Sequence, residues 1–249
     1  MAGQAVVMPV SATPKTRPGF DVARPGTADE AWLRLLAGQP SWEPEGSPLI
    51  VVAPHPDDET LGAGGLIASY ARRTRQVLVV SVTDGEAAHP GWQGLRSIRR
   101  SELRRALNTL SPHLILQARV GLADGEVHRH ERVLRDYLLH LVPRGAVLVA
   151  PYECDGHTDH EAVGRVCQQV AAARGVVCAR YPIWAWHQAR VESLRDARWG
   201  RFELRGEWRE AKARAIRAFV SQLRPRLRKP VVPAHVLAYF ARPYEAFLL

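Results

Sequence analysis

Short apolar runs without internal alternation constrain this chain most. Leu49-Ile50-Val51-Val52-Ala53 is five apolar residues in a row. A strand that is hydrophobic on both faces has to be covered on both, which is the situation of a strand inside a parallel sheet. Comparable runs recur at 77–82, 114–116, 146–150 and 176–179, with helix-length segments between them at 61–73, 94–110, 127–141 and 159–174. In the second of these helices Leu95, Ile98, Leu103, Ala106, Leu107 and Leu110 make one apolar stripe, with arginines on the remaining face. Strand and helix in alternation predict an α/β fold: a Rossmann-like three-layer αβα sandwich with a mostly parallel sheet and right-handed crossovers.

The ends of the chain read differently. Pro9, Pro14, Pro18, Pro25, Pro40 and Pro44 crowd the first 47 residues, and each fixes φ and removes an N–H donor. Residues 1–47 are therefore expected to be a proline-rich arm, and 48–249 the main domain. One short helix is expected in the arm, where Thr27 and Glu30 have capping-box spacing, Trp32, Leu35 and Leu36 follow, and Gly38 can end it. Beyond Arg180, Trp184 and Trp186 alternate as in a strand, 190–205 suggests a strand pair, and 207–223 an amphipathic helix. Pro225, Pro230 and Pro233 then predict an irregular C-terminal tail.

The chain of 249 residues has a net charge of +9, and only Lys15, Lys212 and Lys229 are lysines. Such a field attracts anionic partners: phosphates, glycolipid head groups, an anionic membrane surface or nucleic acid. Helix-turn-helix, zinc-finger and RNP-type signatures are missing, so no specific nucleic-acid partner is expected. Three cysteines with no C-x-x-C pair argue against a disulfide framework. There is no apolar run long enough to span a bilayer and no secretory signal pattern, so a cytoplasmic location is expected.

Two polar clusters carry the chemistry. His55-Pro56-Asp57-Asp58-Glu59 follows the first apolar run directly, and in an open α/β sheet ligands bind beyond the carboxyl ends of strands. Four titratable groups in five residues repel one another unless protons are shared or a cation is held. Imidazole and carboxylate are ordinary zinc ligands. The plainer reading is that Asp57 or Asp58 only caps the next helix. Gly62, Gly64 and Gly65 then permit close approach of the backbone to substrate or to a neighbouring strand. The second cluster, Asp155-Gly156-His157-Thr158-Asp159-His160, follows the run ending at Pro151. His157 and His160 lie three apart at a helix start, where one can hold a metal while the other faces substrate. Here too the spacing of Thr158 and Glu161 allows a simple capping box.

The stretch from Ala53 to Gly62, with the distal His157-Thr158-Asp159-His160, resembles the PIG-L/LmbE-like deacetylases. These are zinc hydrolases that remove acyl groups, usually acetyl, from glucosamine-containing conjugates. Thr83-Asp84-Gly85-Glu86, Arg99-x-x-Glu102, Gly121 to Gly125, Lys212 and Ser221-Gln222 extend the resemblance over about 48–222. It implies His55, Asp58 and His160 as metal ligands, with Zn2+ or another divalent ion such as Fe2+. It further implies Asp57 as general base, His157 as the protonated group that stabilises the tetrahedral intermediate, and Arg99 and Asp124 as contacts to the sugar. Glu59 and Asp159 are expected to support the ligands, Asp159 by orienting a histidine. The expected partner is a small amino-sugar conjugate or a glycolipid precursor. Two other readings stay open at this stage: a metal-dependent phosphoesterase, and a basic nucleic-acid-binding protein.

Overall fold

A computed structural model describes residues 21–249, apart from Thr74, His113 and Leu227. The prolines at 9, 14 and 18 lie outside the described residues. In chain order the elements begin with α1 (Asp29–Ala37), β1 (Leu49–Ala53), α2 (Asp58–Arg72), β2 (Val77–Ser81), α3 (Leu95–Leu110) and β3 (Ile115–Arg119). Next come α4 (Glu131–Leu141), β4 (Val147–Pro151), α5 (Thr158–Arg174) and β5 (Val177–Tyr181). The last part holds α6 (Ala185–Gln188), β6 (Trp199–Glu203), α7 (Gly206–Ile216), α8 (Val220–Leu223), α9 (Ala234–Leu237) and β7 (Tyr244–Leu248).

The seven strands form one sheet in the order β3-β2-β1-β4-β5-β7-β6. The first five are parallel, and β7 runs antiparallel to both β5 and β6. Helices cover both faces, so the expected three-layer architecture is the observed one. Side chains of β1 alternate between two cores. Leu49 and Val51 join the larger cluster with α2, α3 and α7, while Ile50 and Val52 join the cluster built with α4 and α5. Both sides being apolar is what the unbroken run in the sequence required.

Strand order decides where the chemistry gathers. The chain passes from β1 to β2 on one side and later returns to place β4 on the other. The loops leaving the carboxyl ends of β1 and β4 thus flank the point where the winding reverses, and a crevice opens there. The two polar clusters begin on these loops and run into the first turns of α2 and α5.

Several expectations change. Helix α1 forms, but Thr27 does not cap it: its hydroxyl donates to the carbonyl of Ala189 instead. Trp32 and Leu36 of α1 are fully buried in the larger core. The tryptophans at 184 and 186 do not alternate along a strand, since the chain turns there into α6. The cause is Asp155, whose carboxylate accepts the consecutive N–H groups of Ile183, Trp184 and Ala185. Of the strand pair expected at 190–205 only β6 exists, preceded by a short 3-10 turn at Val191–Leu194. The helix expected over 207–223 stops at Ile216 and resumes briefly as α8. The tail is not irregular throughout, because it supplies the inner strand β7. Its Glu245 reads as a surface residue, yet it is buried, accepting the N–H groups of Gly65 and Leu66 and pairing with Lys212 Nζ at 2.8 Å.

Candidate active site

The loop after β1 is held in an unusual conformation. Asp57 has φ 144° and ψ −30°, and among the described residues it is the one non-glycine with positive φ. Such geometry costs on the order of 1–3 kcal/mol and persists only where surroundings impose it. Here the Asp57 N–H donates to the Glu59 carboxylate at 3.2 Å, and its carbonyl accepts the N–H groups of Thr60 and Leu61. Arg99 closes the loop from α3. Its guanidinium donates to the carbonyls of Pro56 and Gly85 at 2.7 and 3.0 Å, and lies 3.2 Å from Asp57 Oδ1. Asp57 occupies the position before α2 without capping it through its side chain.

Three atoms from the two clusters converge. His55 Nδ1 lies 3.2 Å from His160 Nε2 and 3.2 Å from Asp58 Oδ2, and His160 Nε2 lies 3.3 Å from that same oxygen. The triangle is nearly equilateral. Ligands about 2.0–2.1 Å from a tetrahedral ion stand roughly 3.3 Å apart, so the spacing fits one face of a zinc-type coordination tetrahedron. The donor chemistry fits as well, with two imidazoles and one carboxylate. A looser set of His55, His157 and His160 has potential ligand atoms within 4.8 Å of one another, but the triangle with Asp58 is tighter and includes a negative charge. Another set of three, His55, Asp124 and Asp159, gathers round the opposite nitrogen of His55, Nε2, at 3.3 and 3.2 Å.

That second gathering serves the first. A histidine that ligates through Nδ1 carries its proton on Nε2 and needs an acceptor there. Asp159 and Asp124 supply it for His55, and Asp159 is itself fixed by the N–H groups of Gly125 and Val127. For His160 the acceptor is Asp155, whose Oδ2 is 2.8 Å from Nδ1. Asp155 was visible in the motif, but the sequence reading gave it no role. The signal it offered was a carboxylate five residues before His160.

The field at the triangle is negative. Burial alone would lower the pKa of His55, but the carboxylates of Asp124, Asp159 and Asp58 outweigh it and hold it well above its ordinary value. His160 is raised to about 9 against the effect of burial, chiefly by Asp58 and Asp155. Despite its burial, Asp58 is held well below the carboxylate range by the two histidines. A dication in the triangle would feel the same negative field that these protons feel.

Asp57 and His157 behave differently. Burial raises the Asp57 carboxyl to about 7 although Arg99 opposes it. Burial, then the neighbouring His55 and His160, push His157 down to about 3. That direction opposes the protonated His157 expected from the sequence. Its Nδ1 accepts the N–H of Asp159 at 3.2 Å as the N-cap of α5, so the proton resides on Nε2. The Thr158–Glu161 capping box does not form. Glu161 instead accepts from the N–H of Gly156.

One cavity of about 510 Å³ joins these groups. His55, Asp57, Asp58, Arg99, Asp124 and His157 line it, together with the apolar Leu61, Ile183, Trp184 and Val232. Glu59 faces away from it, bonded to Thr60 and the Asp57 N–H, and burial raises its pKa to about 8. The glycines of α2 pack on the protein itself. A Cβ on Gly62 would meet the ring of Tyr181 at 2.4 Å, and one on Gly64 the side chain of Lys212 at 3.2 Å. The exposed Arg228 and Lys229 stand at the cavity mouth.

A family model described as PIG-L: GlcNAc-PI de-N-acetylase matches residues 50–171. The 1D-myo-inositol 2-acetamido-2-deoxy-alpha-D-glucopyranoside deacetylase of Nocardia farcinica is 31% identical over 176 residues, covering 59% of each chain. This chain thus spans less than two thirds of that relative's length. Among solved structures, A40926 pseudoaglycone deacetylase superposes with a TM-score of 0.62 at 20% identity, over 80% of this chain and 95% of the other. The N,N'-diacetylchitobiose deacetylase of Pyrococcus horikoshii gives 0.56 at 21% identity, over 79% and 80%. At that identity the two structures carry the fold.

Proposed function

Residues 50–171 form a PIG-L family domain, and on that premise we propose that this chain is a metal-dependent hydrolase that removes an N-acyl group, acetyl foremost, from a glucosamine-containing conjugate. The observation that supports it most is the triangle of His55 Nδ1, Asp58 Oδ2 and His160 Nε2, with sides of 3.2–3.3 Å. These three residues would hold the metal, for which zinc is the proposed identity. When bound, the ion acidifies water and polarises an acyl carbonyl.

The protein's own groups account for the proton movements. Arg99 engages Oδ1 of Asp57, so Oδ2 is the oxygen left to take a proton from the attacking water. Its carboxyl, raised to about 7 by burial, is matched to that task near neutral pH, where general bases work best. As the water oxygen adds to the acyl carbon, negative charge builds on the former carbonyl oxygen. Neutral His157 donates its Nε2 proton toward that charge, a role that needs no protonated imidazole. The C–N bond then breaks, and Asp57 passes its proton to the departing amine nitrogen, because an amide anion is too poor a leaving group to depart unprotonated. Products are the carboxylic acid and the free amino sugar. Asp124 also lines the cavity, but its Oδ1 lies 3.3 Å from His55 Nε2 and its Oδ2 accepts the N–H of Ala87. We assign it to orienting His55, and Arg99 to holding Asp57, ahead of any sugar contact.

Acetate release from a panel of N-acetylglucosamine conjugates tests the reading, with chelated and zinc-restored protein in parallel. Release that is lost on chelation and returns with zinc is expected. No release from any conjugate by zinc-restored protein would move the assignment to another amide or ester.

A further inference from the structure

The cavity offers a substrate more donors than acceptors. Arg228, Lys229 and the Nε2–H of His157 can only donate. The acceptors on the lining side chains are mostly taken. One oxygen of Asp124 faces His55 and the other accepts the N–H of Ala87, while Asp57 Oδ1 faces Arg99. Asp58 belongs to the triangle, and Asp57 Oδ2 to the proton movements. A sugar hydroxyl has a proton of its own to place. Left without an acceptor in the cavity, it forfeits the hydrogen bond it made to water.

His89 supplies an acceptor. It is a buried side chain on the loop between β2 and α3, and it lines the cavity. Its Nε2 lies 3.1 Å from the backbone carbonyl of Ser221. A carbonyl only accepts, so Nε2 carries the proton. Burial, with Arg228 and Arg99 nearby, lowers the pKa of the imidazole although the bond to Ser221 opposes them. Near neutral pH the ring is therefore uncharged, and Nδ1 keeps a lone pair. Among the described residues Nδ1 has no protein partner.

A chain of contacts that starts in α3 aims this ring. The buried carboxylate of Glu102 accepts the N–H and the hydroxyl of Ser221, at 2.8 and 2.6 Å. Gln222 Nε2 donates to the same hydroxyl oxygen at 2.7 Å. Ser221 is thus fixed from two sides, and its carbonyl holds the protonated edge of His89. Trp92 packs against the imidazole with ring centres 5.4 Å apart. Glu102 and Ser221 take no part in the proton movements, yet both reach the cavity through His89.

We propose that His89 is a specificity residue whose Nδ1 accepts a hydrogen bond from one hydroxyl of the bound sugar. This rests on the deacylase reading for the ligand being an amino sugar. The role needs an oriented, neutral imidazole and no change of protonation during the reaction.

Two substitutions separate the edges of the ring. In His89→Gln the side-chain NH2 stands near the place of Nε2, so the donor to Ser221 is kept and the acceptor is lost. In His89→Asn the side-chain oxygen stands near the place of Nδ1, so an acceptor is restored. The ligands are methyl glucosaminide, the amine product, and its 3-, 4- and 6-deoxy analogues, which bind without turnover. Calorimetry with zinc-loaded protein reads their affinities, and acetate release from the N-acetyl counterparts is followed in parallel. One deoxy analogue should bind wild type about tenfold more weakly than the parent. The gap should close in His89→Gln, because the parent weakens to the level of that analogue, and should reopen in His89→Asn. Equal affinities for all the glycosides in wild type, no binding of the parent amine, or a gap that survives in His89→Gln overturns the proposal. A gap without acetate release keeps the contact and removes the deacylase reading; release without a gap does the reverse.

Discussion

His160 Nδ1 lies 2.8 Å from Oδ2 of Asp155, and neither side chain has any exposed surface. The same carboxylate accepts the N–H groups of Ile183, Trp184 and Ala185. One buried side chain thus sets the tautomer of a proposed metal ligand and folds the cavity wall that carries Trp184. Four donors meet two oxygens, so no position remains for an amide NH2.

Asp155→Asn should therefore set an NH2 group against two donors, whichever oxygen it replaces. Metal affinity is expected to fall about 10–100-fold, as for other acceptors behind a ligating histidine. Competition with a chromogenic chelator measures it. Metal affinity equal to wild type would remove Asp155 from the centre.

Asp57 does not enter the triangle. Asp57→Ala should lower turnover by at least about 10²-fold while the metal-to-protein ratio stays at that of wild type. Loss of the metal in this variant would mean that the division between base and ligand is wrong.

His157→Ala removes the proposed oxyanion donor without touching the triangle. A drop in kcat of roughly 10²–10³-fold is expected, as for loss of one oxyanion donor, with metal retained. Because His157 is pushed down to about 3, its titration should leave no mark on the rate between pH 5 and 8. A full wild-type kcat in this variant would exclude the residue from the reaction.

Glu59 gives a stability prediction with a definite sign. Its carboxyl is raised from 4.5 to about 8 by burial, with the charge of Asp57 adding to it. Between those values the unfolded chain has released the proton while the folded protein keeps it, so stability falls as pH rises through the window. In metal-free protein Glu59→Gln should lose this slope, and its melting temperature relative to wild type should climb from pH 5 to pH 8. A constant difference across that range would show that Glu59 is not held protonated.

Gly62→Ala tests the packing of α2 on β5. The added methyl would lie 2.4 Å from a ring carbon of Tyr181, whose hydroxyl is anchored on the carbonyl of Val52. Overpacking of this kind costs about 1–3 kcal/mol, read as a lower denaturation midpoint. An unchanged midpoint would mean that the ring can yield.

Much of the fold was legible because its signals are local. An apolar run such as 49–53 needs cover on both faces wherever it sits, and the spacing between runs leaves room for one helix each. The clusters at 55–59 and 155–160 announced themselves through a density of charge that a strand end tolerates only with protons or a cation. The tail failed for a related reason. Glu245 looks like a surface residue until Lys212 and two backbone N–H groups of α2 are brought to it, and Trp184 and Trp186 look like a strand until Asp155 gathers their backbone.

What the sequence settled by itself is the alternation of strand and helix and the residue types at two strand ends, since periodicity and composition depend only on neighbours along the chain. The tertiary structure decided what each polar group does there. Whether Arg99 reaches out to a sugar or back to Asp57, and whether His157 is charged or neutral, depends on burial and on partners many residues away. Those come together only when β1 and β4 lie side by side.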